Sequence, residues 1–252
     1  MAVTAYPVSG KRKSLDLCLA FARSCGGQIA GAYREGTAFF YGVDASNLDL
    51  YRQARASGDY LYCDNSVFDS ARQEQFRIAR NRLQHDGRGT SDGRRFDALG
   101  ITIKDWATRG AHIVVCPQSD FFMAEIVGYE GNWLAYARAR LALVTDRPLR
   151  IRPWNRDKAA LSATLKDDLV GAHALVTWSS AAAVTALLEG IPVVVMSTEC
   201  VAVPMSGTLE QIETLPRPDG RRNWAGVLAD NEWTRQEIAD GTAWASLQGT
   251  HQ

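Results

Sequence analysis

Short apolar runs alternate along this chain with longer amphipathic stretches, and glycine or serine marks most of the junctions. That rhythm predicts strands alternating with helices, and so a parallel sheet with helices packed against it. Residues 2–6 read as a strand and 7–10 as a turn. Ser14 reads as the cap of a helix running to about Ser24, stopped by Gly26-Gly27. Residues 28–32 and 38–43 read as strands, 47–56 as a helix closed by Ser57-Gly58, and 59–63 as a strand. Residues 69–84 carry a helix-like spacing with a basic face, and 87–95 read as a polar loop. A second series starts near Gly110, with strands at 111–116 and 149–152 and helices at 131–144 and 158–168. The tail reads as helical over 231–240. The seam near 100–110 predicts two Rossmann-like parallel-sheet halves with a cleft between them, residues 1–105 and 106–252.

The densest signal is residues 174–195, ALVTWSSAAAVTALLEGIPVVV. It reads as a buried strand, a two-serine turn, a helix, a glycine stop and a second buried strand. Ser179 and Ser180 then stand where a helix begins above the carboxyl end of a strand. Free backbone N–H groups there favour an anion, and phosphate is the commonest biological one. The ordinary alternative is a plain helix cap.

Together with the strand and loop at 111–120 and LRIRPWNRD at 149–157, this stretch resembles the C-terminal half of GT-B glycosyltransferases, closest to the capsule-polysaccharide and Kdo-transferase type. The resemblance covers residues 111–196 and implies a compact GT-B-like α/β fold, an acceptor-side first half and a donor-binding second half. Two positions depart from the family pattern. Trp154 stands where the family has a histidine in its basic–Pro–His–Pro turn, and Thr185 where it often has an acidic residue gripping ribose. A donor other than an ordinary sugar nucleotide therefore stays open.

Composition narrows the class. The 252 residues are 46% hydrophobic and 22% charged with no net charge, so no global field recruits a polyanion. No apolar run is long enough to span a bilayer, and residues 1–13 lack the apolar core of a signal peptide, which suggests a cytoplasmic protein. Five cysteines, without a CxxC pair, read as reduced and mostly buried thiols. No HExxH or Cys/His cluster suggests zinc, and no Asp-x-Asp pair suggests a divalent ion on a donor diphosphate. The expectation is a chemistry without metal or cofactor, in which N–H dipoles and arginines carry the leaving-group charge.

Around Ser179 and Ser180 the candidate donor residues are Arg152 and Arg156 for phosphate, Trp154 for stacking on a base, and Gln118 in the loop after the 111–116 strand. Gly10-Lys-Arg-Lys-Ser14 echoes a phosphate loop but lacks its first glycine, and Lys11 or Arg12 could meet a phosphate. Asp64, at the end of a strand, is the candidate general base, with His85 and Asp86 as its rivals. Seven arginines lie within 72–95, and Arg72, Arg77, Arg80 and Arg82 would form a basic strip able to hold a polyanion. Each has a bland counterpart: a packed indole, a turn-forming Asp-Asn, or a solvated charge run.

The reading these residues favour is a metal-independent glycosyltransferase using a phosphorylated nucleotide donor. A second keeps the fold and makes the acceptor a modified pyrimidine in phage DNA, with the arginine strip on the DNA backbone. A third is a nucleotide- or DNA-binding module without turnover. The tail tryptophans Trp224, Trp233 and Trp244 read as part of a core or crossover helix, or more sharply as an oligomer contact.

Overall fold

A computed structural model describes residues 2–71, 74–154 and 163–249. The chain divides into two compact units, residues 1–85 with 228–252, and residues 86–227. The division therefore falls in two places, whereas the sequence suggested one seam near 105.

Unit 1 is built on a six-stranded sheet in the order β11-β5-β4-β3-β1-β2. Its strands are β1 (Val3–Ala5), β2 (Gln28–Ile29), β3 (Thr37–Tyr41), β4 (Tyr60–Asn65), β5 (Gln75–Arg80) and β11 (Glu232–Thr234). The first four run parallel, β5 runs antiparallel to β4, and β11 runs antiparallel to β5 and so in the direction of the first four. Helices α1 (Arg12–Ser24), α8 (Arg235–Ala239) and α9 (Thr242–Gly249) cover one face. Leu17, Phe21, Ile238 and Leu247 meet Val3, Phe39, Leu61, Phe76 and Ile78 there, all buried. Phe21 stacks on Phe39 with ring centroids 4.0 Å apart. Helix α2 (Leu48–Ser57) covers the other face, where Tyr51 meets Phe40, Tyr60 and Tyr62 edge-on.

Unit 2 carries a five-stranded parallel sheet in the order β10-β9-β8-β6-β7. Its strands are β6 (His112–Cys116), β7 (Leu149–Ile151), β8 (Ala172–Thr177), β9 (Val193–Val195) and β10 (Ser206–Gly207). Helix α4 (Trp133–Leu141) packs Trp133, Ala137 and Leu141 onto Ile113, Val115, Ala174, Val176 and Val194. Helix α6 (Ala182–Leu188) is buried on every face from Ala183 to Leu188, as an apolar helix without a polar side must be. The remaining helices are α3 (Arg94–Ala98), α5 (Leu165–Leu169) and α7 (Arg221–Asp230), and the second unit boundary falls inside α7. No helix among the described residues is long and apolar enough to cross a membrane.

Three expectations need correction. The basic stretch 69–84 is not a helix. After a short turn it forms β5, because Phe76 and Ile78 alternate with polar neighbours and bury themselves in the core. The tail is not helical throughout 231–240. Glu232–Thr234 form β11, which pairs with β5 so that Trp233 lies opposite Phe76. Nor does Ser14 cap α1. It lies inside the helix, where its hydroxyl accepts from Val8 N at 2.9 Å and donates to Tyr41 O at 3.0 Å, tying the turn after β1 to β3.

Cys18, Cys63, Cys116 and Cys200 are buried, and Cys25 is partly exposed. Burial pushes the Cys18 and Cys116 thiols up to about 12 and that of Cys63 well above its ordinary value. The thiolate is the reactive form, so these groups should be inert. Partial burial raises the Cys25 thiol too, so at about pH 8 a disulfide reagent such as DTNB is expected to label Cys25 slowly but ahead of the four buried thiols in the folded protein. All five should react in denaturant. Rapid labelling of several thiols in the native state would contradict this packing.

Candidate functional site

Unit 2 has the doubly wound strand order in which the first strand in sequence, β6, lies between the second, β7, and the third, β8. The chain therefore leaves β6 and β8 in opposite directions, and a crevice opens above their carboxyl ends. Open α/β sheets bind ligands at such a switch point. The residues there are Pro117-Gln118-Ser119 after β6 and Trp178-Ser179-Ser180 after β8.

Their polar groups converge. Thr177 Oγ1 donates to Cys116 O at 2.6 Å, clamping the two strand ends together. The N–H groups of Ser179 and Ser180 can only donate, so the Gln118 amide turns its oxygen toward them. In that orientation Gln118 Oε1 accepts from Ser179 N at 3.0 Å, Ser180 N at 2.8 Å and Ser179 Oγ at 3.2 Å. One carbonyl oxygen is thus held by three donors. Ser180 Oγ accepts from Ala182 N at 3.2 Å, so that hydroxyl also serves as a local cap. Ser179 is buried, and Ser180 and Gln118 are half-buried.

The arginines are placed differently. Arg152 follows β7, where its guanidinium donates to the Asp168 carboxylate and to Ala163 O at 3.0 Å. Its charge is thus matched within the fold. Trp154 is 50% exposed. Arg156 lies outside the described residues. Thr185 is buried in α6, and Glu189 at its end bridges Lys104 and Lys166, the latter at 3.1 Å. An open cavity of about 510 Å³ lined by Phe96, Trp106 and Arg221 belongs to the same unit. Its wall runs past the C-terminal end of α6, where Lys104 N donates to Leu188 O, so it is not the switch-point crevice.

Unit 1 repeats the switch at β1 and β3, since β1 lies between β2 and β3. Lys11 meets Asp44 there at 2.7 Å. Partial burial works against the charged carboxylate, but Lys11 and Ser46 outweigh it and hold Asp44 down at about 2. Arg12 is almost fully exposed beside Asp16. Asp64 ends β4, where its Oδ2 accepts from Arg77 at 2.6 Å and its Oδ1 from Asn65 N at 2.7 Å. Arg80 pairs with Asp59 at 2.8 Å. His85 and Arg82 are partly buried beyond β5, and Arg72 lies outside the described residues.

The arginine strip is therefore not one helical face. Strand alternation sends Arg77 and Arg80 to opposite faces of the sheet, each against an aspartate. The structure thus brings together Gln118, Ser179 and Ser180 in unit 2, and Asp64 with Arg77 in unit 1. Thr177 and Lys13 were missed from the sequence. Among the described residues, no group of three or more His, Cys, Asp or Glu side chains is arranged to hold a metal.

No protein-family model matches the chain, and no curated protein sequence does. Solved structures do. The KpsC β-Kdo 2,4-transferase of Thermosulfurimonas dismutans aligns over 93% of this chain and 92% of its own, with a TM-score of 0.53 and 13% identity. The KpsC β-Kdo 2,7-transferase of the same organism aligns over 98% of this chain and 100% of its own, with a TM-score of 0.52 and 11% identity. At such identities the likeness is one of fold, and the fold is the two-sheet α/β architecture of the GT-B glycosyltransferases.

Proposed function

We propose that the chain is a group transferase, most simply a glycosyltransferase that uses a phosphorylated nucleotide donor without a metal. The observation that carries this reading is the convergence of Ser179 N, Ser180 N and Ser179 Oγ on one oxygen at the switch point of unit 2. The fold neighbours, both Kdo transferases, support the reaction class. A donor phosphate oxygen would replace the Gln118 amide oxygen on these groups. The bond from the sugar carbon to the phosphate oxygen then breaks, and the N–H dipoles stabilise the charge left on phosphate. The acceptor oxygen bonds to that carbon, and its proton passes to a carboxylate base, a role for which Asp64 is the candidate by its chemistry. Arg77 and Asn65 N fix the carboxylate orientation while its remaining lone pairs can still accept. DNA as the acceptor gains no support from Arg77 and Arg80, which are matched by aspartates.

Gln118→Glu tests the reading. The isosteric carboxylate would sit on the same N–H groups with stronger, charge-assisted bonds and repel a phosphate. Wild-type protein is expected to gain thermal stability from one member of a sugar-nucleotide panel. The variant should lose at least about tenfold in that affinity while folding normally. Equal binding by the variant, or no binding of any nucleotide by the wild type, would refute the proposal.

A further inference from the structure

Residues 101–106 and 218–222 wall the open cavity of unit 2, and the fold pins both segments. Lys104 N donates to Leu188 O and Ala107 N to Gly190 O, each at 2.9 Å. Arg217 Nη2 donates to Ala107 O at 3.1 Å, and Arg221 Nη1 to Leu187 O at 2.7 Å. The two segments are thus tied to each other and to the C-terminal end of α6, so the cavity is preformed. Its volume of about 510 Å³ falls within the roughly 300–1,000 Å³ of small-molecule sites.

Two kinds of surface line it. Phe96 is buried and Ile101, Ile103 and Trp106 are half-buried, which makes apolar walls. The Arg221 guanidinium packs over the Trp106 ring, 3.8 Å from its centroid. Hydrogen-bonding groups that the fold does not use stand in these walls. Among the described residues, the Asp105 and Asp219 carboxylates and the Trp106 indole N–H meet no hydrogen-bond partner, and Arg221 uses only Nη1. Net charge does not choose the ligand. Arg222 is matched by Asp97 at 2.6 Å. Partial burial works against the Arg221 charge, and the nearby Asp105 carboxylate supports it. A simple anion would face both carboxylates, and a simple cation both arginines. A neutral ring with apolar faces, and with both N–H donors and carbonyl or ring-nitrogen acceptors on its edge, suits all of these groups.

We infer that this cavity binds a neutral heteroaromatic ring of the nucleobase kind, as the free base or a nucleoside. The ring lies against the apolar walls at Trp106, its N–H groups donate to Asp219 or Asp105, and its acceptors take the remaining Arg221 or indole N–H groups. A sugar offers hydroxyls to the same edge groups but no aromatic face to the walls. The cavity and the Ser179-Ser180 turn lie at opposite ends of α6, which is seven residues and so roughly 10 Å long. The site therefore does not depend on the transfer reaction proposed for the crevice.

The test titrates the full chain, isotope-labelled at its tryptophans, with adenosine, guanosine, cytidine and uridine, and with glucose as the neutral control without an aromatic ring. The indole N–H resonance that disappears in Trp106→Phe identifies Trp106. That resonance should shift and saturate with at least one nucleoside and stay still with glucose. Trp106→Leu should weaken binding of that nucleoside by about tenfold and Asp219→Ala by about fivefold. Asp219 is exposed and bonded to no described residue, so its variant keeps the test decisive even if Trp106→Leu folds poorly. Gln118→Glu should leave the affinity unchanged. No shift with any nucleoside, an equal shift with glucose, unchanged affinity in Asp219→Ala, or loss of binding in Gln118→Glu overturns the inference. The nucleosides carry no phosphate, so the result is read independently of sugar-nucleotide binding at the crevice.

Discussion

A chain ending at Val227 should lose the fold of unit 1 and keep that of unit 2. The missing segment supplies β11, which pairs with β5, and the helices α8 and α9. It also supplies Trp233, Ile238 and Leu247, each buried against the α1 side of the sheet. Full burial of a large apolar side chain stabilises by about 1.5–3 kcal/mol. Three such losses take much of the about 5–15 kcal/mol that holds a typical domain together. Val67 N would also lose its 2.7 Å bond to buried Glu232. Urea unfolding of the whole chain should show contributions from both units, and that of the shortened chain only the unit 2 transition. Limited proteolysis should then cut within residues 1–85. A shortened chain that keeps both transitions would show that residues 1–85 fold without the tail.

Gly190→Ala should destabilise unit 2 severely. Gly190 has φ +78°, and a Cβ there would lie 2.0 Å from the backbone oxygen of Asp105. The left-handed backbone alone costs an L-residue about 1–2 kcal/mol. Overpacking adds about 1–3 kcal/mol, and the obstacle here is a backbone atom that cannot rotate away. The strand after Gly190 lies inside the sheet between β10 and β8, and Lys104 N and Ala107 N bind Leu188 O and Gly190 O. The relief available is to peel residues 104–107 from the end of α6. A loss of about 2–5 kcal/mol in the unit 2 transition is expected. A loss below about 1 kcal/mol would mean that this segment does not hold its place.

The glycine was legible in the sequence as a helix stop, but the chain packed over it was not. That difference runs through the molecule. Residues 174–195 announced themselves because strand, turn, helix and stop are all local. The strand β5 is hidden in the sequence because its seven-arginine neighbourhood matches a helical spacing, while the alternation of Phe76 and Ile78 with polar residues carries the true period. Its partner β11 begins at residue 232, and no local pattern couples segments so distant. At the candidate site, Gln118, Ser179 and Ser180 were legible as loops at strand ends, whereas their convergence on one oxygen depends on the strand order. Lys13 lies in the same charge run as Lys11 and Arg12. It stands four residues before Leu17 and eight before Phe21, on the stripe that α1 buries, and a lysine on that stripe was the available signal.

The order of synthesis adds a consequence to the discontinuous make-up of unit 1. Its last strand is translated after all of unit 2, so β5 emerges long before its edge partner exists. Until then an open strand edge beside Phe76 and Ile78 offers hydrogen bonds to any neighbouring chain. Unit 2, whose residues are consecutive, can close first, and a nascent chain stalled before residue 232 would be the aggregation-prone species.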